Sequence, residues 1–361
     1  IDYDPAFIVE QPGVYSAMFY GQGGDGTVGS NKNTVKIIGK AGSLQSQAFF
    51  YYDSKKAGSQ TISHLRFGPR RIEAPYYIQK ADFVACHLFS YLSKCDVLEY
   101  AAPGATFLVN STHGPDEVWD KLPREAQRDI IDKQLKFYVI DAYNVAGEAG
   151  LGRRLSTVMQ ACFFAISSVL RPDEAIEKIK EEIHNTFIKK GKKVVEMNYA
   201  AVDMALANMH RVEVPQKITS LFDMPPPVRV GAPEFVRNVV GPQIAGKGDL
   251  LPVSMLPVDG TYPSGTTAWE VSDLTLEVPI WEPDICAQCG NCEIVCPHAV
   301  IRMKTYEQDS LEEAPDAFKS VRLKGRGIDP DQRNTLQVAV DNCTGCGLCV
   351  AACPVDSHPD K

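Results

Sequence analysis

Two runs of four cysteines near the C-terminal end are the residues most clearly suited to chemistry. The first run is Cys286, Cys289, Cys292 and Cys296, followed by Pro297, and the second is Cys343, Cys346, Cys349 and Cys353, followed by Pro354. Both have the spacing C-x2-C-x2-C-x3-C-P, by which two-cluster bacterial ferredoxins hold a pair of [4Fe–4S] cubanes. The sequence therefore predicts two [4Fe–4S] clusters.

The fourth cysteine of each run is expected to serve the cluster of the other run. Three thiolates from one tight loop can bind three irons of a cube, but the fourth iron faces away from that loop. The proline that follows turns the chain out of the site. We therefore assign Cys286, Cys289, Cys292 and Cys353 to one cluster, and Cys343, Cys346, Cys349 and Cys296 to the other.

Other uses of these cysteines fit the pattern poorly. Structural zinc sites use two separated pairs of ligands, and disulfides suit small secreted proteins. No signal peptide is recognisable at the start of the chain. The remaining cysteines, Cys86, Cys95 and Cys162, lie in apolar surroundings and are predicted to be buried hydrophobes, as in a reducing compartment.

Composition describes an ordinary globular protein. The 361 residues are 44% hydrophobic and 23% charged, which allows two or three domains. No apolar stretch approaches the ~20 residues of a membrane helix, and the net charge of −8 argues against nucleic acid as a general partner. Because the chain starts at Ile1 and stops soon after Pro354, we expect a fragment of a longer protein.

The elements that precede the cysteines alternate between strands and helices. Apolar runs predict strands at 14–20, 47–52, 83–89, 106–109 and 136–140, and helices are predicted near 30–40, 123–134, 147–170, 172–190 and 193–210. This alternation indicates an α/β domain with a mostly parallel sheet over residues 1–214.

Residues 215–270 differ in kind from the rest. Residues 215–283 hold eleven of the 24 prolines, yet they carry too many large apolar side chains for free coil. We predict an extended Pro-rich linker strap over 215–270. An α+β ferredoxin-like domain of the bacterial 2[4Fe–4S] type is then expected over 271–361, with a charged insertion at about 304–334.

A glycine-rich stretch after the first strand allows three interpretations. Gly21-x-Gly23-x-x-Gly26 satisfies the dinucleotide fingerprint, with Asp53 near the place of the ribose acid. Gly24-Asp25-Gly26 also resembles the opening of the thiamine diphosphate motif, but the Asn that this motif requires is missing after the second strand. The third interpretation is an anion cradle of glycine amides at a helix N-terminus. The basic pairs Lys55-Lys56 and Arg153-Arg154 favour the cradle.

These stretches together resemble pyruvate:ferredoxin oxidoreductases, including the closely similar pyruvate:NADP enzymes. The resemblance lies in Gly24–Lys32, Tyr52–Gly58, Thr61–Gly68 and Gly152–Phe164, followed by the two cysteine runs in that order. It implies that the chain is the gamma-type domain, the linker and the delta-type ferredoxin domain of that enzyme. The gamma-type domain is associated with coenzyme A, which implies the following contact residues: Gly24, Asp25, Gly26, Thr27, Gly29, Asn31, Lys55, Lys56, Arg153 and Arg154.

The resemblance also implies what the complete enzyme does. It decarboxylates pyruvate oxidatively on thiamine diphosphate, forms acetyl-coenzyme A and passes electrons through three [4Fe–4S] clusters to ferredoxin, flavodoxin or a fused NADP reductase. Thiamine diphosphate and the third cluster are expected in domains outside this chain, which alone should not oxidise pyruvate and holds no catalytic residue. A homodimer in the cytoplasm, or in a reducing organelle matrix, is expected. The alternatives are a ferredoxin-like carrier with a docking domain, or a subunit of an NAD(P)- or flavin-dependent dehydrogenase.

Overall fold

The computed structural model describes residues 7, 9–52, 59–152, 154–270, 275 and 277–355. The chain divides into two compact units, Ile1–Pro226 with Pro242–Leu251, and Pro227–Gly241 with Pro252–Lys361. Within the described ranges, the helices are all too short or too polar to cross a membrane.

The first unit alternates strands and helices, as the sequence predicts. Its strands are β1 (Tyr15–Gln22), β2 (Gln45–Tyr52), β3 (Gln60–Gly68), β4 (Ala81–Cys86), β5 (Ala101–Asn110), β6 (Lys136–Ile140) and β7 (His210–Arg211). Its helices are α1 (Thr27–Ala41), α2 (Arg124–Asp132), α3 (Ala142–Glu148), α4 (Ser156–Ser167), α5 (Pro172–Phe187) and α6 (Lys192–Asn208). The predicted helical stretch 147–170 is interrupted before α4, where Gly150 and Gly152 adopt φ angles of 79° and 60°.

These strands form one sheet with a parallel centre. The strand order is β2-β3-β1-β4-β5-β6-β7. Neighbouring strands in the group β1, β4, β5 and β6 run parallel, whereas β2, β3 and β7 add antiparallel edges. The predicted α/β fold with a mostly parallel sheet is confirmed, although β3 was not predicted as a strand.

Aromatic packing joins the sheet to α4. The ring of Phe163 lies 5.3 Å from Phe19 of β1 and 5.0 Å from Phe83 of β4. All three rings are almost fully buried. Because α4 is apolar on nearly every side, it can occupy the centre of the helical layer, and its N-terminal end is thereby fixed beside α1.

The order of the strands reverses next to β1. From β1 the chain goes to β2 and β3 on one side, whereas β4 and the strands after it lie on the other side. The loops that follow β1 and β4 therefore diverge at the carboxyl edge of the sheet. Open α/β sheets bind ligands at this place.

The Pro-rich segment is folded locally. Thr219 and Ser220 donate backbone hydrogen bonds to Gln127 of α2, at 2.8 and 3.0 Å. In the second unit, a short helical turn covers Val236–Val240, and a small apolar cluster packs against Trp269. The helix α7 (Gly241–Ile244) begins at the last residue of this segment and continues into the part of the chain assigned to the first unit. The domain boundaries drawn from the sequence stay a prediction.

The cysteine runs are framed by short elements of the second unit. These are α8 (Asn291–Ile294), β8 (Ile301–Glu307), β9 (Val321–Arg322), β10 (Gln332–Val338) and α9 (Leu348–Ala351). The strands form a sheet in the order β8-β10-β9, with antiparallel pairing. The predicted insertion at 304–334 thus contains β9 and parts of the two longer strands.

Candidate functional site

The two cysteine loops have the same backbone path. We define the first loop as residues 286–292 and the second loop as residues 343–349. Gln288 has a φ of 56° and Gly345, at the same place in the second loop, has a φ of 64°. Gly290 and Gly347 then have φ angles of 76° and 73°, and a short helix starts after each of them. The sequence repeat is therefore also a structural repeat.

Backbone amides point at the cysteine sulfurs in both loops. The amide of Gln288 donates to Cys286 Sγ at 3.3 Å, and the amide of Gly345 donates to Cys343 Sγ at 3.5 Å. The amide of Val300 donates to Cys296 Sγ at 3.4 Å. Such amides stabilise thiolate charge, which is the form of cysteine that binds iron.

A mostly apolar pocket of about 120 Å³ lies between the two runs. Cysteines of both runs line it, together with large apolar side chains: Cys286, Cys292, Cys349, Cys353, Trp281, Ile301 and Leu336. Among the described residues, no group of three or more His, Cys, Asp or Glu side chains is arranged to hold a single metal ion. Thiols around a mostly apolar pocket fit iron–sulfur clusters, since cluster potentials depend on burial and on nearby amides.

A hydrogen bond connects the first loop to the end of the second run. Asn291 Nδ2, inside the first loop, donates to the carbonyl oxygen of Ala352 at 3.5 Å. Ala352 directly precedes Cys353. This hydrogen bond therefore holds Cys353 beside the first loop, and Cys353 lines the pocket together with Cys286, Cys292 and Cys349.

The glycine-rich stretch of the first unit is organised by Asp25. Its carboxylate accepts hydrogen bonds from the amide of Gln22 at 2.7 Å, from the amide of Thr27 at 2.7 Å and from Thr27 Oγ1 at 2.8 Å. Gly24 and Gly26 adopt φ angles of 99° and 90°, which a side chain would disfavour. Asp25 thus fixes the turn from β1 into α1 and places a negative charge at the helix N-terminus.

A buried histidine, which the sequence did not indicate, completes this network. His87 follows β4, and its Nδ1 lies 2.7 Å from Thr27 Oγ1. Since the Thr27 hydroxyl donates to Asp25, His87 Nδ1 is the donor to Thr27. Burial lowers the pKa of His87 to about 4, and the charge of Asp25 opposes this only in part. The imidazole is therefore neutral at pH 7, and its Nε2 has no hydrogen-bond partner among the described residues.

A cavity of about 320 Å³ opens beside the first turns of α1 and α4. Glycines and hydroxyl groups line this end of it: Gly26, Gly29, Ser30, Ser156 and Thr157. The two helices meet closely, because a Cβ at Gly26 would lie 2.9 Å from Ser156 Oγ. Two helix N-termini and several hydroxyls therefore share one space, an arrangement suited to anionic or hydrogen-bonding groups.

Only some of the predicted coenzyme A contacts lie at this cavity. Gly26 and Gly29 line the cavity, whereas Thr27 is buried in the Asp25 network. Asn31 is 3% exposed, and its Nδ2 lacks a partner among the described residues. Arg154 is exposed just before α4. Lys55, Lys56 and Arg153 lie outside the described residues, as does Asp53 of the dinucleotide interpretation.

Comparison with known families gives three consecutive matches. Residues 16–208 match the family described as pyruvate ferredoxin/flavodoxin oxidoreductase, and residues 222–270 match a domain of unknown function. Residues 285–357 match a 4Fe-4S dicluster domain, which supports the predicted pair of clusters.

Individual relatives agree over almost the whole chain. A putative pyruvate-flavodoxin oxidoreductase of Synechocystis sp. is 52% identical over 98% of this chain, and a pyruvate-flavodoxin oxidoreductase of Rhodospirillum rubrum is 49% identical over 98%. The matches cover 30% of each relative, so the chain spans about a third of their length. Among solved structures, a pyruvate oxidoreductase subunit of Thermotoga maritima is 17% identical, with 56% of this chain and 99% of that chain covered and a TM-score of 0.44.

Proposed function

This chain belongs to the pyruvate ferredoxin/flavodoxin oxidoreductase family, and we propose that it is the electron-transfer and coenzyme A-binding portion of such an enzyme. The complete enzyme decarboxylates pyruvate oxidatively and forms acetyl-coenzyme A. The observation that carries the proposal is the pair of matching cysteine loops around one apolar pocket, in the same chain as the α/β domain of the family.

The clusters transfer one electron at a time and bind no substrate. Cysteine ligands at every iron leave no open coordination position, so the loops act as a scaffold for electron transfer. Amides at Gln288, Gly345 and Val300 point at thiolate sulfurs and stabilise their charge. The pocket wall is mostly apolar, which favours a low reduction potential because added negative charge is poorly solvated beside it.

Each cluster takes its fourth ligand from the other run. The hydrogen bond from Asn291 to Ala352 supports this assignment, because it holds Cys353 next to the first loop. By the repeat, Cys296 completes the cluster of the second loop.

Coenzyme A binds the α/β unit by its phosphates at the cavity beside α1 and α4. Glycine and hydroxyl groups at two helix N-termini support an anionic ligand there. The acidic Glu182 also lines the cavity, but Lys40 lies 2.8 Å from its carboxylate and offsets its charge. Arg154, at the start of α4, and Lys55, Lys56 and Arg153 supply the positive charge that the phosphates need.

The other parts of the reaction take place elsewhere in the enzyme. Thiamine diphosphate and a third [4Fe–4S] cluster are held by domains beyond this chain, and electrons leave to ferredoxin, flavodoxin or a fused reductase. The full enzyme is a homodimer of the cytoplasm or a reducing organelle matrix. The chain alone transfers electrons and binds coenzyme A but does not oxidise pyruvate.

Calorimetric titration of the purified chain with coenzyme A tests the proposal. We expect saturable binding that weakens as salt is raised, because the contacts are ionic. Clusters without coenzyme A binding would favour a ferredoxin-like carrier with a docking domain. Saturable binding of NAD(P) or flavin instead would favour a dehydrogenase subunit.

A further inference from the structure

The insertion between the two cysteine runs is hydrogen-bonded to the first loop. Lys324, just after β9, places its Nζ 2.6 Å from the carbonyl oxygen of Cys286. The backbone amide of Lys324 donates to Gln288 Oε1 at 2.9 Å, and Gln288 Nε2 donates to the carbonyl oxygen of Arg322 at 3.0 Å. Three hydrogen bonds thus join β9 and the residues after it to the first loop.

The second loop is supported differently at the equivalent position. Gln288 corresponds to Gly345, and both have positive φ angles, 56° and 64°. Such angles favour glycine, so the glutamine at 288 needs a compensating interaction. Its two side-chain hydrogen bonds to the insertion provide one. At Gly345, an added Cβ would collide with Thr275 and come within 3.4 Å of the carbonyl oxygen of Glu277.

Lys324 also places a positive charge beside the first loop. The lysine ammonium is a compact positive charge, and the carbonyl of Cys286 fixes it beside a cluster ligand. A [4Fe–4S] cluster gains one negative charge when it takes up one electron. A fixed cation nearby stabilises the reduced form more than the oxidised form and therefore raises the reduction potential. Because Lys324 is exposed, salt should weaken its effect.

We propose that Lys324 is a positioning and tuning residue that raises the reduction potential of the cluster held by Cys286, Cys289 and Cys292. The insertion that carries it makes the two clusters unequal, so that an electron shared between them favours the first-loop cluster. This proposal rests on the two-cluster function above, but it does not depend on which run supplies the fourth ligand, since the first loop provides three ligands in either case.

An anaerobic redox titration of the intact chain, followed by EPR with dithionite as the electron donor, tests the role of Lys324. Lys324→Gln should shift the reduction equilibrium of one cluster about tenfold towards the oxidised form, which is 59 mV for a one-electron couple. Lys324→Arg keeps the charge and should shift it much less. Lys304→Gln, on β8 of the same sheet, makes the same change in net charge and is the matched control. Cys289→Ser identifies which EPR signal belongs to the first loop.

Gln288→Gly tests the same proposal by removing hydrogen bonds between the insertion and the first loop. Glycine accepts the φ of 56° without strain, but it loses both hydrogen bonds that hold β9 against the loop. The potential of the same cluster should fall, and its salt dependence should diminish.

Iron analysis and Mössbauer spectra of each variant separate this proposal from the function on which it rests. Parent protein without two cubanes would overturn the function itself. With both cubanes present, an unchanged potential in Lys324→Gln and Gln288→Gly would overturn the role of Lys324 alone, as would an equal shift in Lys304→Gln or a shift confined to the second-loop cluster.

Discussion

His87 Nδ1 lies 2.7 Å from Thr27 Oγ1, although the two residues are sixty positions apart in the chain. The parallel pairing of β1 with β4 brings them together, because Tyr20 lies opposite Cys86 in that pair. Thr27 thus links the imidazole to the carboxylate of Asp25 underneath the glycine-rich turn. The turn that we assign to ligand binding is therefore supported from beneath by the buried side chains of Thr27 and His87.

Removing the central hydroxyl should disturb this network. Thr27→Val leaves Asp25 with one donor fewer and His87 Nδ1 without its acceptor, in a fully buried place. We expect the free energy of unfolding to fall by about 1–3 kcal/mol, the usual penalty for unpaired buried polar groups. Urea denaturation measures this change. Thr112→Val, at an exposed position, should stay within about 0.5 kcal/mol of the parent.

Buried neutral histidines should make the α/β unit sensitive to acid. Burial lowers the pKa of His87 to about 4, and burial together with Arg66 lowers the pKa of His64 to about 4. Between about pH 4 and ~6.5, which is the ordinary pKa of histidine, the unfolded chain binds more protons than the folded chain. The free energy of unfolding is therefore highest above about pH 6.5 and falls as the pH falls towards 4.

The size of this effect can be measured by substitution. His87→Asn should reduce the slope of unfolding free energy against pH, between about pH 6.5 and 4, by up to ~1.4 kcal/mol per pH unit, the value for one proton. His184→Asn is the matched control, because His184 is exposed on α5. A slope that His87→Asn leaves unchanged would mean that His87 is already charged in the folded protein.

A buried ion pair anchors the segment before β1. The Arg66 guanidinium lies 2.7 Å from Glu10 Oε1, and the side chains are 2% and 14% exposed. Glu10→Gln leaves an unpaired buried charge, so we expect a loss of about 3–5 kcal/mol in thermal or urea unfolding. The Arg71–Glu73 pair, 85% and 67% exposed, offers the comparison. Glu73→Gln should change stability by less than about 1 kcal/mol, and equal effects of the two substitutions would contradict the argument from burial.

The phosphate contacts of coenzyme A are predicted from the basic pairs. Arg154→Ala and Lys56→Ala should each raise the dissociation constant about tenfold, in line with the ~1.5–3 kcal/mol of a charge-assisted hydrogen bond. Arg71→Ala, a change of the same charge at another exposed position, should leave the constant nearly unchanged. Isothermal titration calorimetry at low salt measures all three. Full affinity in both Arg154→Ala and Lys56→Ala would place the ligand elsewhere.

Features set by adjacent residues could be predicted from the sequence, whereas contacts between residues far apart in the chain could not. The repeat of the cysteine loops and the glycine turn before α1 were predictable, because both depend on adjacent residues, although α1 begins at Thr27 and not at the predicted residue 30. His87 was not predictable, since its contact with Thr27 depends on which strands become neighbours. The hydrogen bond from Lys324 to the carbonyl oxygen of Cys286 could not be predicted either, because the sequence of the charged insertion does not indicate which part of the domain it contacts.

The crossed ligand arrangement is the claim on which the two-cluster account depends most directly. Cys353→Ser, in the second run, should damage the cluster of the first loop, because the hydrogen bond from Asn291 to Ala352 holds Cys353 beside that loop. Cys349→Ser, in the same run, should damage the other cluster.

Mössbauer and EPR spectra of the two variants, prepared anaerobically with ⁵⁷Fe, decide the matter. The account predicts that Cys353→Ser and Cys349→Ser change different clusters. Since the clusters share both runs, loss of one should also weaken the iron content of the other. If both variants change the same cluster and leave the second intact, each run holds its own cube and the crossed assignment is wrong.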